Sequence, residues 1–141
     1  MLLTKEYRYE LQDWDYRLPG GKVYDKLEEY RGALKKDSIL SDVNVAIKKE
    51  LFEEVGIEVN NPYLYYISKA GSTIIWDLYY FLIEDFKFLE EGQHLEEGEF
   101  ISCQWFTFDE VIKLITSNLI KEDRSIGVIS RFIMESKKDN D

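Results

Sequence analysis

The stretch "IKKELFEEVGIEV", residues 47–59, constrains the fold more tightly than any other part of the chain. Ile47, Leu51 and Val55 recur every four residues, which marks one apolar face of a helix. Gly56 follows at once, in the place of the left-handed residue that ends a helix. The spacing predicts a helix from Asp42 to Val55, preceded by capping residues in "DSILSD". Three glutamates, Glu50, Glu53 and Glu54, occupy the wheel quadrant beside the apolar stripe. They repel one another by roughly 0.2–0.5 kcal/mol per close pair. Two of them lie at the negative end of the helix dipole, where each is disfavoured by a further 0.3–1 kcal/mol or so.

A divalent cation would turn that repulsion into attraction. Mg²⁺ and Mn²⁺ are hard ions that take carboxylate oxygens together with substrate phosphates and water. The competing explanation is a solvated acidic helix edge, partly neutralised by Lys48 and Lys49. The rest of the chain bears on the choice. Its 141 residues, 45% apolar and 15% aromatic, suffice for a single core. Twenty-eight acidic residues against eighteen basic ones give a net charge of −10, which opposes binding to nucleic-acid backbones. The lone Cys103 cannot form an internal disulfide or a Cys-rich metal site. No stretch reads as a signal peptide or membrane span, so no membrane partner and a cytoplasmic location are expected.

Around the acidic helix, "LLTKEYRYE" reads as a strand, and "DWDYRLPGGKV" runs from a short strand into a Pro-Gly-Gly loop. "YDKLEEYRGALKK" reads as a helix. "GIEVNNPYLYYISKA" and "STIIWDLYYFLIEDF" are predicted to form two strands joined around Ala70-Gly71. "FKFLEEGQHLEEGE" reads as an acidic loop and "FISCQWFTF" as a strand. "DEVIKLITSNL" and the segment around "IGVISRFIMES" read as helices, and the tail from about 136 to 141 is expected to fray. The class is α+β, with a mixed sheet packed between helices.

With these pieces in order, "KELFEEVGI", residues 49–57, resembles the helical part of the Nudix box, G-x5-E-x7-R-E-U-x-E-E-x-G-U, where U is bulky and aliphatic. Glu50, Leu51, Glu53, Glu54, Gly56 and Ile57 fall on matching positions. "LPGGKV" is similar to the loop leading into the box, and "EEGEFISCQWFTFDEV" to the acidic loop, strand and helix start that follow it. "KEYRYELQDWDYRLPGGK" resembles the approach to the box in ADP-ribose pyrophosphatase-like members. The resemblance runs from Leu3 to Leu114 and implies a single Nudix domain over 1–141, an α/β/α sandwich.

Three departures stand out. Lys49 replaces the arginine of the box, keeping the charge without the planar two-pronged contact. Gly21 and Lys49 are twenty-eight apart (49 − 21), against fourteen in the motif, so a helix at about 24–38 is inserted. The first glutamate of the box then has no secure equivalent among Ser41, Asp42, Asp25, Glu28 and Glu29. Few residues precede Leu18, which predicts either an open sheet edge covered by a homodimer partner or a native chain that extends further at its N-terminus.

The resemblance implies metal-dependent hydrolysis of a phosphoanhydride bond in a nucleoside diphosphate derivative, with ADP-ribose and nucleotide sugars as candidates. Glu50, Glu53, Glu54 and the Gly20 carbonyl would hold Mg²⁺ or Mn²⁺. Glu53 or a loop acid (Glu96, Glu97 or Glu99, with Glu97 favoured) would deprotonate water, and Glu50 joins the catalytic set. Arg8, Gly21 and Lys49 are the candidate substrate contacts. His94 reads as a solvated loop residue, and Tyr7, Tyr9, Trp14 and Trp76 as ordinary packing ahead of base stacking. The alternatives are a Nudix-fold sensor that binds nucleotide without turnover and an acidic scaffold without ligand.

Overall fold

The computed structural model describes residues 1–138 and resolves into two compact units, one formed by Met1–Leu18 with the chain from Leu95 onward, the other by Pro19–His94. The fold is α+β, as expected. Among the described residues every strand pairing is antiparallel, and the strands divide into three small sheets.

In the first unit, β1 (Leu2–Arg8) lies between β2 (Asp13–Arg17) and β7 (Ile101–Trp105). Thr4 faces Arg17 on one side and Cys103 on the other. Two helices complete the unit: α3 (Phe108–Thr116) and α4 (Asp123–Lys138). Thr107 and Glu110 close a reciprocal capping box at the start of α3. Ser125, Val128, Ile129 and Ile133 form the buried stripe of α4, at the spacing a one-sided helix requires. Leu3, Val111, Ile120, Ile129 and Ile133 make the core, with Met1, Tyr16, Leu18 and Phe106 packed around it. The last three residues of the tail expected to fray lie outside the described residues; α4 continues through Lys138.

In the second unit, α1 (Leu27–Lys36) and α2 (Ile39–Glu50) follow the Pro-Gly-Gly loop. The helix predicted over 42–55 starts earlier than expected. It changes character at Leu51, where Leu51–Val55 form a wider π-helical turn. Gly56, at φ +72°, ends it and donates its N–H to the Leu51 carbonyl, five residues back. The strand expected across "GIEVNNPYLYYISKA" is broken at Asn60-Asn61-Pro62 into β3 (Ile57–Val59) and β4 (Tyr63–Ser68), because proline cannot donate to a ladder. β4 pairs with β5 (Leu78–Leu82). Part of the expected acidic loop is a strand: β6 (Phe86–Phe88) pairs with β3, Ile57 opposite Phe88 and Val59 opposite Phe86. Ala33, Val43, Leu51, Val55, Ile57, Val59 and Tyr80 are the buried apolar residues of this unit.

Candidate functional site

The glutamates lie at the end of α2 and in the π-helical turn, half-buried, among the residues that bury Leu51 and Val55. Two of the three reach the Pro-Gly-Gly loop. Glu54 accepts a hydrogen bond from the Gly20 backbone N–H at 2.9 Å. Glu50 presses its carboxylate against Gly21: a Cβ added there would lie 2.5 Å from Glu50 Cδ and 2.8 Å from its Oε2. Any side chain at residue 21 would push Glu50 aside. Gly20 adopts φ +153°, a backbone setting that favours glycine. The two glycines thus serve different ends, one presenting an amide to a carboxylate and the other leaving room for one.

Glu53 is held from within its own helix. Lys49 Nζ lies 2.9 Å from Glu53 Oε2, one turn away. The lysine in the arginine position therefore keeps an ion pair to the carboxylate, with a single ammonium in place of a planar fork.

The helix end is finished by residues that sequence reasoning assigned no role. The last carbonyls of a helix lack intrahelical donors. Here the His94 backbone N–H donates to the Glu53 carbonyl at 2.8 Å, and the Gln93 side-chain amide donates to the Glu54 carbonyl. Leu89 N–H donates to the Gly56 carbonyl at 2.9 Å. The His94 ring stacks on Phe52, with centroids 4.6 Å apart and planes 5° from parallel. A Cβ on Gly56 would meet the Gly92 carbonyl carbon at 2.5 Å and the Gln93 nitrogen at 2.9 Å. The only sequence signal for this clasp was the turn glycine in "EEGQH".

Upstream, Asp42 joins α2 to the segment before α1. It accepts hydrogen bonds from Tyr24 Oη at 2.7 Å and Ser38 Oγ at 2.9 Å. Burial, and then the bond to Asp42, push the Tyr24 phenol up to about 12.

The remaining predicted residues lie in the first unit. Arg8 is clamped by its own neighbours, Nη1 to Glu6 at 2.8 Å and Nη2 to Glu10 at 2.5 Å. Glu97 lies in the exposed loop before β7. A groove of about 430 Å³ is lined by Lys48, Lys49, Phe52, Ile57, Glu58, Val59 and Asn60. It includes Lys49 but none of the three glutamates.

The candidate donor set, the carboxylates of Glu50, Glu53 and Glu54 with the Gly20 carbonyl, is all oxygen, the chemistry a hard divalent cation takes. Among the described residues no three acidic, histidine or cysteine side chains are already gathered into a metal cage. Backbone amide and lysine instead balance the charges. A helix bearing Glu-x-x-Glu-Glu, ended by glycine and facing a Pro-Gly-Gly loop, is the arrangement expected of a Nudix box. A family model for the NUDIX domain matches residues 1–126. The chain belongs to the Nudix family. Nudix enzymes are pyrophosphohydrolases that act on nucleoside diphosphate derivatives and generally use divalent metals such as Mg²⁺. No curated protein matched the chain. Among the described residues of this Nudix protein, no helix is long and apolar enough to cross a membrane.

Proposed function

We propose that this Nudix protein hydrolyses a phosphoanhydride bond in a nucleoside diphosphate derivative, with ADP-ribose or a nucleotide sugar as the substrate class. One observation carries the proposal: two of the three helix carboxylates meet the Pro-Gly-Gly loop, Glu54 at Gly20 and Glu50 at Gly21. That brings acidic oxygens and backbone amides to one place, where a diphosphate and its counter-ion can be held. Glu50, Glu53, Glu54 and the Gly20 carbonyl are the residues that would hold Mg²⁺ or Mn²⁺. The ion, when bound, supplies charge neutralisation at the diphosphate and a more acidic water.

The protein's own groups do the rest. Lys49 fixes Glu53 through their ion pair, so that Glu53 presents an ordered oxygen to accept a proton from water. Glu97 is the second candidate base that the family resemblance offers. Gly21 allows Glu50 its close approach to the loop backbone. Arg8 binds substrate phosphate by exchanging Glu6 and Glu10 for a stronger anion. The family match runs over residues 1–126, in keeping with a single Nudix domain. α1 is an insertion within the box, and the protein works in the cytoplasm as a homodimer.

Hydrolysis of a panel of nucleoside diphosphate derivatives, with Mg²⁺ and with Mn²⁺, tests the proposal. Metal-dependent release of a nucleoside monophosphate supports it. A raised melting temperature with nucleotide and no product would identify a sensor instead.

A further inference from the structure

We infer that Gln93 and His94 are positioning residues for the carboxylates of Glu53 and Glu54, acting through the backbone of the π-helical turn. The inference rests on the proposed role of those carboxylates as metal ligands.

A π-helical turn is rare and occurs mostly as a single wide turn set into an α-helix. The Leu51–Val55 turn carries two of the three glutamates. The carbonyls of those same two residues each take a donor from consecutive residues of one loop: His94 N–H on Glu53 and the Gln93 amide on Glu54. The Phe52–His94 stack fastens the loop to the residue just before Glu53. Gly56 admits the loop by leaving its Cβ position empty. The direction in which Glu53 and Glu54 project follows from the turn's backbone, and that turn is held to the loop by two hydrogen bonds and a ring stack. Neither side chain faces the substrate chemistry in this role; both act by holding the residues that do.

Three variants separate positioning from simple stability. Gln93→Ala removes the donor to Glu54. His94→Ala removes the ring but keeps the backbone N–H, and His94→Phe keeps a ring able to stack on Phe52. Calorimetry with Mn²⁺ alone is expected to show weaker binding in Gln93→Ala and His94→Ala, roughly 10- to 100-fold, the size usual for groups that orient metal ligands. Binding should recover in His94→Phe. Amide hydrogen exchange should quicken at Gly56 in the first two variants and not in the third. Unchanged exchange at Gly56 in both alanine variants would overturn the inference. So would loss of Mn²⁺ affinity that His94→Phe fails to restore. If the wild-type protein takes up no Mn²⁺ and forms no product, the proposed function fails, while the exchange result still decides whether the loop holds the turn.

Discussion

The Gly20 backbone N–H and the Glu54 carboxylate meet at 2.9 Å, thirty-four residues apart in sequence. This bond joins the loop before α1 to the turn after α2. It sets a glutamate of the box at the glycine loop, where a substrate's phosphates would be received.

Gly21→Ala is expected to lower activity without unfolding the protein. The new Cβ would displace the Glu50 carboxylate, a flexible group able to swing away at little energetic cost. Misplacement of a catalytic group by about 1 Å can lower turnover on the order of 100-fold. Steady-state kinetics beside a melting curve check both halves: a large fall in kcat with a Tm close to that of the wild type.

Gly56→Ala should behave in the opposite way. An L-residue at φ +72° is strained by roughly 1–2 kcal/mol. Its Cβ would also meet the Gly92–Gln93 backbone, which cannot step aside as a side chain can. Denaturant unfolding is expected to show a loss of at least that size.

Glu122 should make the protein acid-sensitive. Burial alone would raise its carboxyl, but hydrogen bonds from Ser125 and from the Arg124 backbone outweigh burial and hold it below the ordinary glutamate range. A depressed folded-state pKa gives stability that is present above the unfolded value and lost as pH falls through the folded one. Glu122→Ala, which uncaps α4, is expected to lose about 1 kcal/mol at neutral pH. The gap from wild type should shrink as pH falls below about 4.3. Urea titrations at several pH values measure it.

Tyr24 gives the alkaline counterpart. Its phenol is raised to about 12 by burial and by the bond to Asp42. The stability it contributes is complete below the unfolded value of about 10 and lost as pH rises through the folded one. In an alkaline absorbance titration Tyr24→Phe should lose a tyrosine that ionises well above the ordinary range. Its thermal stability should depend less on pH over that window.

Local patterns in the sequence foretold the elements well where one short window decides them. The Ile47, Leu51 and Val55 stripe and the Gly56 stop were legible because period and left-handed cap are properties of adjacent residues. The π-helical turn was not, since the same apolar spacing fits an ordinary helix. β6 was hidden because Phe86-Lys87-Phe88 is too short to stand out; it is a strand by virtue of β3 beside it. The break at Asn60-Asn61-Pro62 was marked by turn residues but obscured by the β-branched and aromatic run on either side. At the site, motif spacing named the glutamates and glycines. Their contacts, and those of Gln93 and His94, are non-local, and the turn glycine in "EEGQH" was the one local sign of them.

Metal-dependent turnover by Glu53→Gln against wild type tests the central claim most directly. The substitution keeps shape and removes the charge that pairs with Lys49. The wild-type protein is expected to release a nucleoside monophosphate from a nucleoside diphosphate derivative in Mg²⁺ or Mn²⁺. Glu53→Gln should lose at least about 100-fold in kcat, the scale of a missing general base, with its Tm retained. Equal turnover by the two proteins, or no product from wild type with any metal, would contradict the assignment of Glu53 and its neighbours as the hydrolytic site.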